Sequence, residues 1–159
     1  MRKLFYPFVL CFVVTMQLTS CGSDTIFNES KIMKGRIWNA KYKPKFEVNI
    51  SDTSKVYDLI LTVRTTADYS FANMWMYLHT KDPKGNSQKF PLEIIIADPS
   101  GEWKGDKSGS LVSFSKLLMH DNFNHTGTYT FTLEQATTQK ELPEVVDITL
   151  DVFASKSEE

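Results

Sequence analysis

Cysteine is scarce in this chain: Cys11 and Cys21 are the only two among 159 residues, and both fall within the first 21 positions. A disulfide-stapled scaffold and a cysteine-ligated metal centre are therefore excluded beyond Cys21. Histidine is limited to His79, His120 and His125, none at the H-x-H or H-E-x-x-H spacing that metal chemistry uses. Charge of neither sign is concentrated. The 18 Lys+Arg and 19 Asp+Glu are interspersed and nearly cancel, so the positive footprint of a nucleic-acid binder is missing. Glycine is also sparse at seven residues, with no glycine-rich phosphate loop ahead of a helix. There is no G-x-S-x-G elbow either, and Ser108-Gly109-Ser110 lacks the strand-turn-helix setting which that motif requires. Together these absences argue against an enzyme and against a cofactor, a metal site or a small-molecule substrate.

Long apolar runs are missing too, except at the start. Met1-Arg2-Lys3 supplies a positive head, Leu4 to Val14 is almost wholly apolar, and small or polar residues follow. That stretch is too short to span a bilayer comfortably and reads as a secretory signal. It ends in Leu18-Thr19-Ser20-Cys21, which resembles a bacterial lipobox. In such signals the cysteine thiol receives a diacylglyceryl group, cleavage falls just before it, and the new amine is usually acylated. One acyl chain binds membranes with only about 10⁴ M⁻¹, whereas two or three anchor stably. The alternative is an ordinary signal peptide with a chance cysteine. The expected organisation is a lipoprotein signal peptide at 1–20, a lipidated tether at 21–34 and one folded domain at 35–155. Losing residues 1–20 removes two basic residues and no acidic ones, leaving a net charge of about −3.

Beyond the tether a period of two dominates. Phe46, Val48 and Ile50 alternate with polar neighbours, as do Tyr57, Leu59, Leu61 and Val63. Met74, Met76 and Leu78 define a third run, and Phe90, Leu92, Ile94 and Ile96 a fourth, in which Pro91 hints at an edge strand. Tyr129, Phe131 and Leu133 form the fifth, and Val146, Ile148, Leu150 and Val152 the sixth. Residues 109–120 fit a strand or a short helix. Six runs rich in β-branched and aromatic residues, separated by turns such as Asp82-Pro83-Lys84-Gly85, predict an all-β domain. A sheet with one apolar face must bury it on another layer, so the predicted fold is a two-sheet antiparallel β-sandwich, Greek-key or jelly-roll-like. Gly127-Thr128-Tyr129 suggests a tyrosine corner, with a buried strand tyrosine as the plainer alternative.

Three aromatics are the candidate partner-binding residues. Trp103 lies in Asp98-Pro99-Ser100-Gly101-Glu102-Trp103-Lys104-Gly105-Asp106, the most unusual loop in the chain. It would either pin that loop onto the sandwich or meet a partner. Asp98, Glu102 and Asp106 offer hard oxygen atoms, but not at the spacing of a helix-flanked Ca²⁺ loop. Trp75 and Tyr77 share one face of a strand and would stack on a sugar or anchor a protein. Burial is the rival reading for them, favoured by the apolar opposite face of Met74, Met76 and Leu78.

Read in order, several segments resemble the gliding-motility lipoproteins called GldH, found among Bacteroidetes. The matching pieces are the lipobox cysteine, Tyr57-Asp58-Leu59-Ile60-Leu61-Thr62-Val63-Arg64, and Tyr69 with Asn73-Met74-Trp75. The glycine loop around Trp103 follows, then Gly127-Thr128-Tyr129-Thr130-Phe131-Thr132-Leu133-Glu134-Gln135, and Leu142-Pro143 leading into Asp147-Ile148. The similarity covers most of residues 21–154. Where the family tends to carry Met-Arg after Glu134-Gln135, this chain has Ala136-Thr137-Thr138, so no arginine role carries over there. The resemblance implies an envelope lipoprotein, lipid-anchored at Cys21 to the inner or outer membrane, that works with other gliding or secretion proteins. It supplies no catalytic residues. The first reading is therefore a non-enzymatic assembly component. The alternative is a glycan-binding lipoprotein with Trp75, Tyr77 and Trp103 as its stacking platform.

Overall fold

The computed structural model describes residues 24–154; the expected signal peptide and Cys21 lie outside the described residues. Eleven strands occur in the described chain. They are β1 (Asp24–Ile32), β2 (Ile37–Asn39), β3 (Lys45–Ile50), β4 (Tyr57–Thr66), β5 (Asn73–Lys81), β6 (Ser87–Ile95), β7 (Asp106–Ser108), β8 (Leu111–Asp121), β9 (Gly127–Gln135), β10 (Glu141–Pro143) and β11 (Val145–Ala154). A single 3₁₀ turn at Lys34–Arg36 is the only helical piece among them. No helix there is long and apolar enough to cross a membrane.

Two antiparallel sheets carry the fold, in the orders β1-β11-β4-β8-β7 and β3-β9-β5-β6, and β10 pairs with β2 in a small third ladder. Setting aside the short β2, β7 and β10, the remaining eight strands have jelly-roll connectivity, two interleaved Greek keys. The inner faces meet in one core, in which Phe46, Val48, Leu59, Leu61, Met74, Met76, Leu133 and Leu150 are all buried. The six alternating runs of the sequence are β3, β4, β5, β6, β9 and β11, and residues 111–121 resolve as a strand. Pro91 sits on β6, the edge of its sheet. Tyr129 is buried, and its phenol oxygen accepts from the backbone N–H of His125 at 3.1 Å. That bond to backbone four residues upstream is the tyrosine-corner geometry.

The expected tether is where the structure differs. Residues 24–32 form β1, paired along β11 from Asp24↔Ala154 to Ile32↔Asp147. Residues 24–32 thus belong to the folded domain and not to a tether ahead of residue 35. The strand escaped notice because its three partly buried positions are Phe27, Glu29 and Lys31, only one of them apolar. Phe27 packs edge-on to Phe46, and the Lys31 ammonium lies 5.6 Å from the same ring. Inward charged residues on an edge strand disfavour pairing with a second chain, and they erase the hydrophobic alternation that would reveal the strand. A smaller correction concerns β11: a bulge between Val145 and Asp147 shifts the phase, leaving Val146 half-buried and Asp147 buried.

Connectivity sorts the loops to two ends. The start of β1 shares its end with the loops 51–56, 82–86 and 122–126, since Asp24 pairs with Ala154, Ala154 with Tyr57 and Tyr57 with Asp121. The opposite end carries loops 33–44, 67–72, 96–105 and 136–144.

Candidate functional site

The outer face of the β3-β9-β5-β6 sheet gathers the chemistry. On β5, Met74, Met76 and Leu78 point into the core, so Trp75, Tyr77 and His79 point away from it. Trp75 is 42 % exposed, which corrects the expectation that a second apolar layer buries this face. Ile95 is 50 % exposed and pairs with Asn73, one diagonal step from Trp75. Tyr77 is half-buried and lies opposite Pro91 on β6 and Glu134 on β9.

Glu134 organises the polar half of this face. Its Oε2 accepts from His79 Nε2 at 2.6 Å and lies 3.2 Å from Lys43 Nζ and 4.0 Å from Lys89 Nζ. Lys43 and then His79 hold its carboxyl below the ordinary value, outweighing a small desolvation. The Lys89 ammonium also sits 3.7 Å from the centroid of the Tyr77 ring, a close cation–π contact. An exposed indole and isoleucine beside two lysines and a histidine gathered on one carboxylate is an amphipathic patch of the sort protein interfaces use. Reading the sequence missed Glu134, Lys43 and Lys89. Only the cross-strand register joins them, although Glu134 does fall within the Gly127–Gln135 resemblance segment.

Trp103 lies elsewhere. After β6 the chain bridges back through Ala97 and Trp103, with the Lys104 N–H donating to the Ile96 carbonyl at 2.9 Å. The Trp103 ring packs on Phe114 of β8, centroids 6.4 Å apart. Gly105 is required here, because a Cβ at that position would meet the Ser113 carbonyl oxygen at 2.4 Å and the Phe114 ring at 2.6 Å. Asp98 supports the loop itself: its Oδ1 accepts from the Ser100 N–H at 2.9 Å, the Ser100 hydroxyl at 2.6 Å and the Glu102 N–H at 3.0 Å. Lys104 Nζ adds an ion pair at 3.0 Å. Ser100 and Lys104 hold the Asp98 carboxyl far below the usual carboxylate range. Its oxygens serve the loop, and among the described residues no group of His, Cys, Asp or Glu could hold a metal ion. Trp103 therefore covers the gap between the open edges of the two sheets and does not join Trp75 and Tyr77 in one platform.

Below this cover the gap stays open. A cleft of about 500 Å³ lies between the lower halves of β6 and β8, lined chiefly by Leu78, Phe90, Leu92, Leu118, Met119 and Phe123. Elsewhere a polar contact matters for the frame: Arg64 Nε donates to both carboxylate oxygens of buried Asp147, at 2.9 and 3.0 Å, and Nη2 donates to Oδ2 as well.

Residues 25–152 match the family model described as GldH lipoprotein. The chain is similar to the gliding motility lipoprotein GldH homolog of Christiangramia forsetii, 30 % identical over 138 residues, covering 86 % of this chain and 83 % of that one. It is also similar to the gliding motility lipoprotein GldH of Flavobacterium johnsoniae, 27 % identical over 119 residues, covering 75 % of this chain and 74 % of that one.

Proposed function

Because this chain belongs to the GldH lipoprotein family, we propose that it works without catalysis, holding a partner protein of the gliding or secretion machinery beside the membrane. It is a gliding-motility lipoprotein of the cell envelope, anchored to a membrane. The anchor in this reading is lipid on Cys21, and the inner or outer membrane receives it. The partner docks on the outer face of the β3-β9-β5-β6 sheet. One observation carries this reading: Trp75, a large aromatic on a strand in the middle of the molecule, is left exposed beside Ile95 and the Glu134 cluster. A buried tryptophan anchor ringed by charge is a common energetic centre in protein interfaces. The glycan alternative is weakened, because Trp103 packs on Phe114 and Lys89 already occupies the Tyr77 ring.

The test is a photo-crosslinking amino acid placed at position 75 in living cells. The expected result is recovery of gliding or secretion envelope proteins in covalent adducts, lost when the crosslinker is moved to Ser30, an exposed position on the outer face of the opposite sheet. Equal recovery from both positions, or none from position 75, would refute the assigned face. A tryptophan fluorescence change on titration with envelope glycans, abolished by Trp75→Ala, would turn the reading to sugar.

A further inference from the structure

The two edges of the sandwich are closed differently. On one side Phe27 and Lys31 of β1 lean over Phe46 of β3. On the other, the Trp103 loop covers only the upper part of the gap between β6 and β8, and β7 pairs with β8 only as far as Ser113. Exposure along the inward positions of this edge follows that cover. Ile96 is 0 % exposed, Ile94 4 %, Leu92 8 % and Phe90 45 %. Opposite Phe90 the β8 strand bulges against Leu59 and Ile60, and Leu117 is left 55 % exposed. The cleft beneath is of the size that holds a small-molecule ligand, about 300–1,000 Å³.

Its lining offers little for a polar ligand to bind. Lys116 at the upper end donates its ammonium to the Glu93 carbonyl at 2.9 Å and so ties the two edges together. Asp82 at the lower end accepts from the N–H groups of Lys84 and Asn86 and from the Asn86 amide, stabilising its own turn. The rest of the wall is chiefly aliphatic and aromatic, with Thr80 and Gln88 its neutral polar members and asparagines at the lower rim. The lower rim belongs to the end of the molecule at which β1 starts. Cys21 precedes Asp24 by three residues, a reach of at most about 11 Å at ~3.6 Å per residue. A lipid on Cys21 therefore holds that end, with its loops 82–86 and 122–126, against the bilayer.

We propose that this cleft receives a fatty-acyl chain of a membrane phospholipid, drawn up between β6 and β8 with its head group left among the asparagines at the rim. An acyl chain is the occupant that fits a narrow apolar slot, open at its membrane-facing end and without a charge free to pair. The orientation rests on lipidation of Cys21, and the experiment separates the two claims.

The lipidated protein is reconstituted into phosphatidylethanolamine vesicles containing a phospholipid with a photoactivatable diazirine near the acyl terminus. Intact mass first establishes whether Cys21 carries lipid. Illumination and peptide mapping should then place label on 88–92 and 116–123 at least fivefold above the outer-face segment 73–77. Phe90→Asp combined with Leu117→Asp, two exposed positions, should lower that label about tenfold with an unchanged melting temperature. Label no stronger in the cleft than on the outer face, or unmoved by the double variant, would overturn the proposal. A Cys21→Ser chain, which takes no lipid, is titrated in parallel with a fluorescent fatty acid. Binding there that the double variant abolishes supports the cleft even if the mass shows no lipid on Cys21, which would remove only the anchor. Binding by Cys21→Ser together with exclusion of the probe from the lipidated protein would mean that the protein's own lipid fills the cleft, and would overturn the bilayer source.

Discussion

Removing Arg64 should harm this protein more than removing its partner Asp147. The Asp147 side chain is 2 % exposed and the Arg64 side chain 43 %, so the two are unequally dependent on each other. Arg64→Met leaves a buried carboxylate without its guanidinium, a change that costs about 3–5 kcal/mol. Asp147→Asn leaves a guanidinium that water can reach and loses only the extra strength of charge-assisted hydrogen bonds, about 1.5–3 kcal/mol. Replacing both, as Arg64→Met with Asp147→Leu, removes the buried charge altogether and should recover most of the loss. Against a total stability on the order of 5–15 kcal/mol, the single Arg64 variant is severe, and its midpoint should fall by roughly 10–20 °C. Urea and thermal melts at pH 7 would rank the three variants. If Asp147→Asn proves as damaging as Arg64→Met, the reasoning fails.

Two further outcomes are expected. Gly105→Ala should cost about 1–3 kcal/mol, because the added methyl meets backbone at Ser113 and cannot be relieved by a side-chain rotation; tryptophan fluorescence should report release of Trp103 from Phe114, and an unchanged melt would refute the close approach. Stability should also decline on acidification through the carboxylate range. Glu134 has a folded pKa below its ordinary 4.5, so its contribution is complete above that value and is lost as pH falls through the lower folded value. Lys43→Met combined with His79→Phe should flatten this decline, and an unaltered pH profile of the melting temperature would contradict the Glu134 assignment.

Much of the fold was legible because the inward positions of most long strands are apolar without interruption. Phe46-Val48-Ile50 and Leu59-Leu61-Val63 give their strands away, and Pro91 marks an edge by its missing N–H. β1 was hidden because its inward residues include Glu29 and Lys31, which pair with each other while the Lys31 ammonium lies over Phe46. The role of Trp103 was undecidable from its neighbours, since a loop tryptophan looks the same whether it meets a partner or its own core. Phe114, eleven residues on, made the difference. Glu134 read as one more polar strand position until the register set it among Lys43, His79 and Lys89.

The sequence by itself determined the class of the domain and its membership of the GldH lipoprotein family, because local period and the order of short segments carry both. Tertiary structure alone decided the jelly-roll pairing, the place of residues 24–32 in the sheet, the exposure of Trp75 and the cleft between β6 and β8. Those depend on which strand ends are left without a neighbour. That is a property of the packed sheets, and no single stretch of chain contains it.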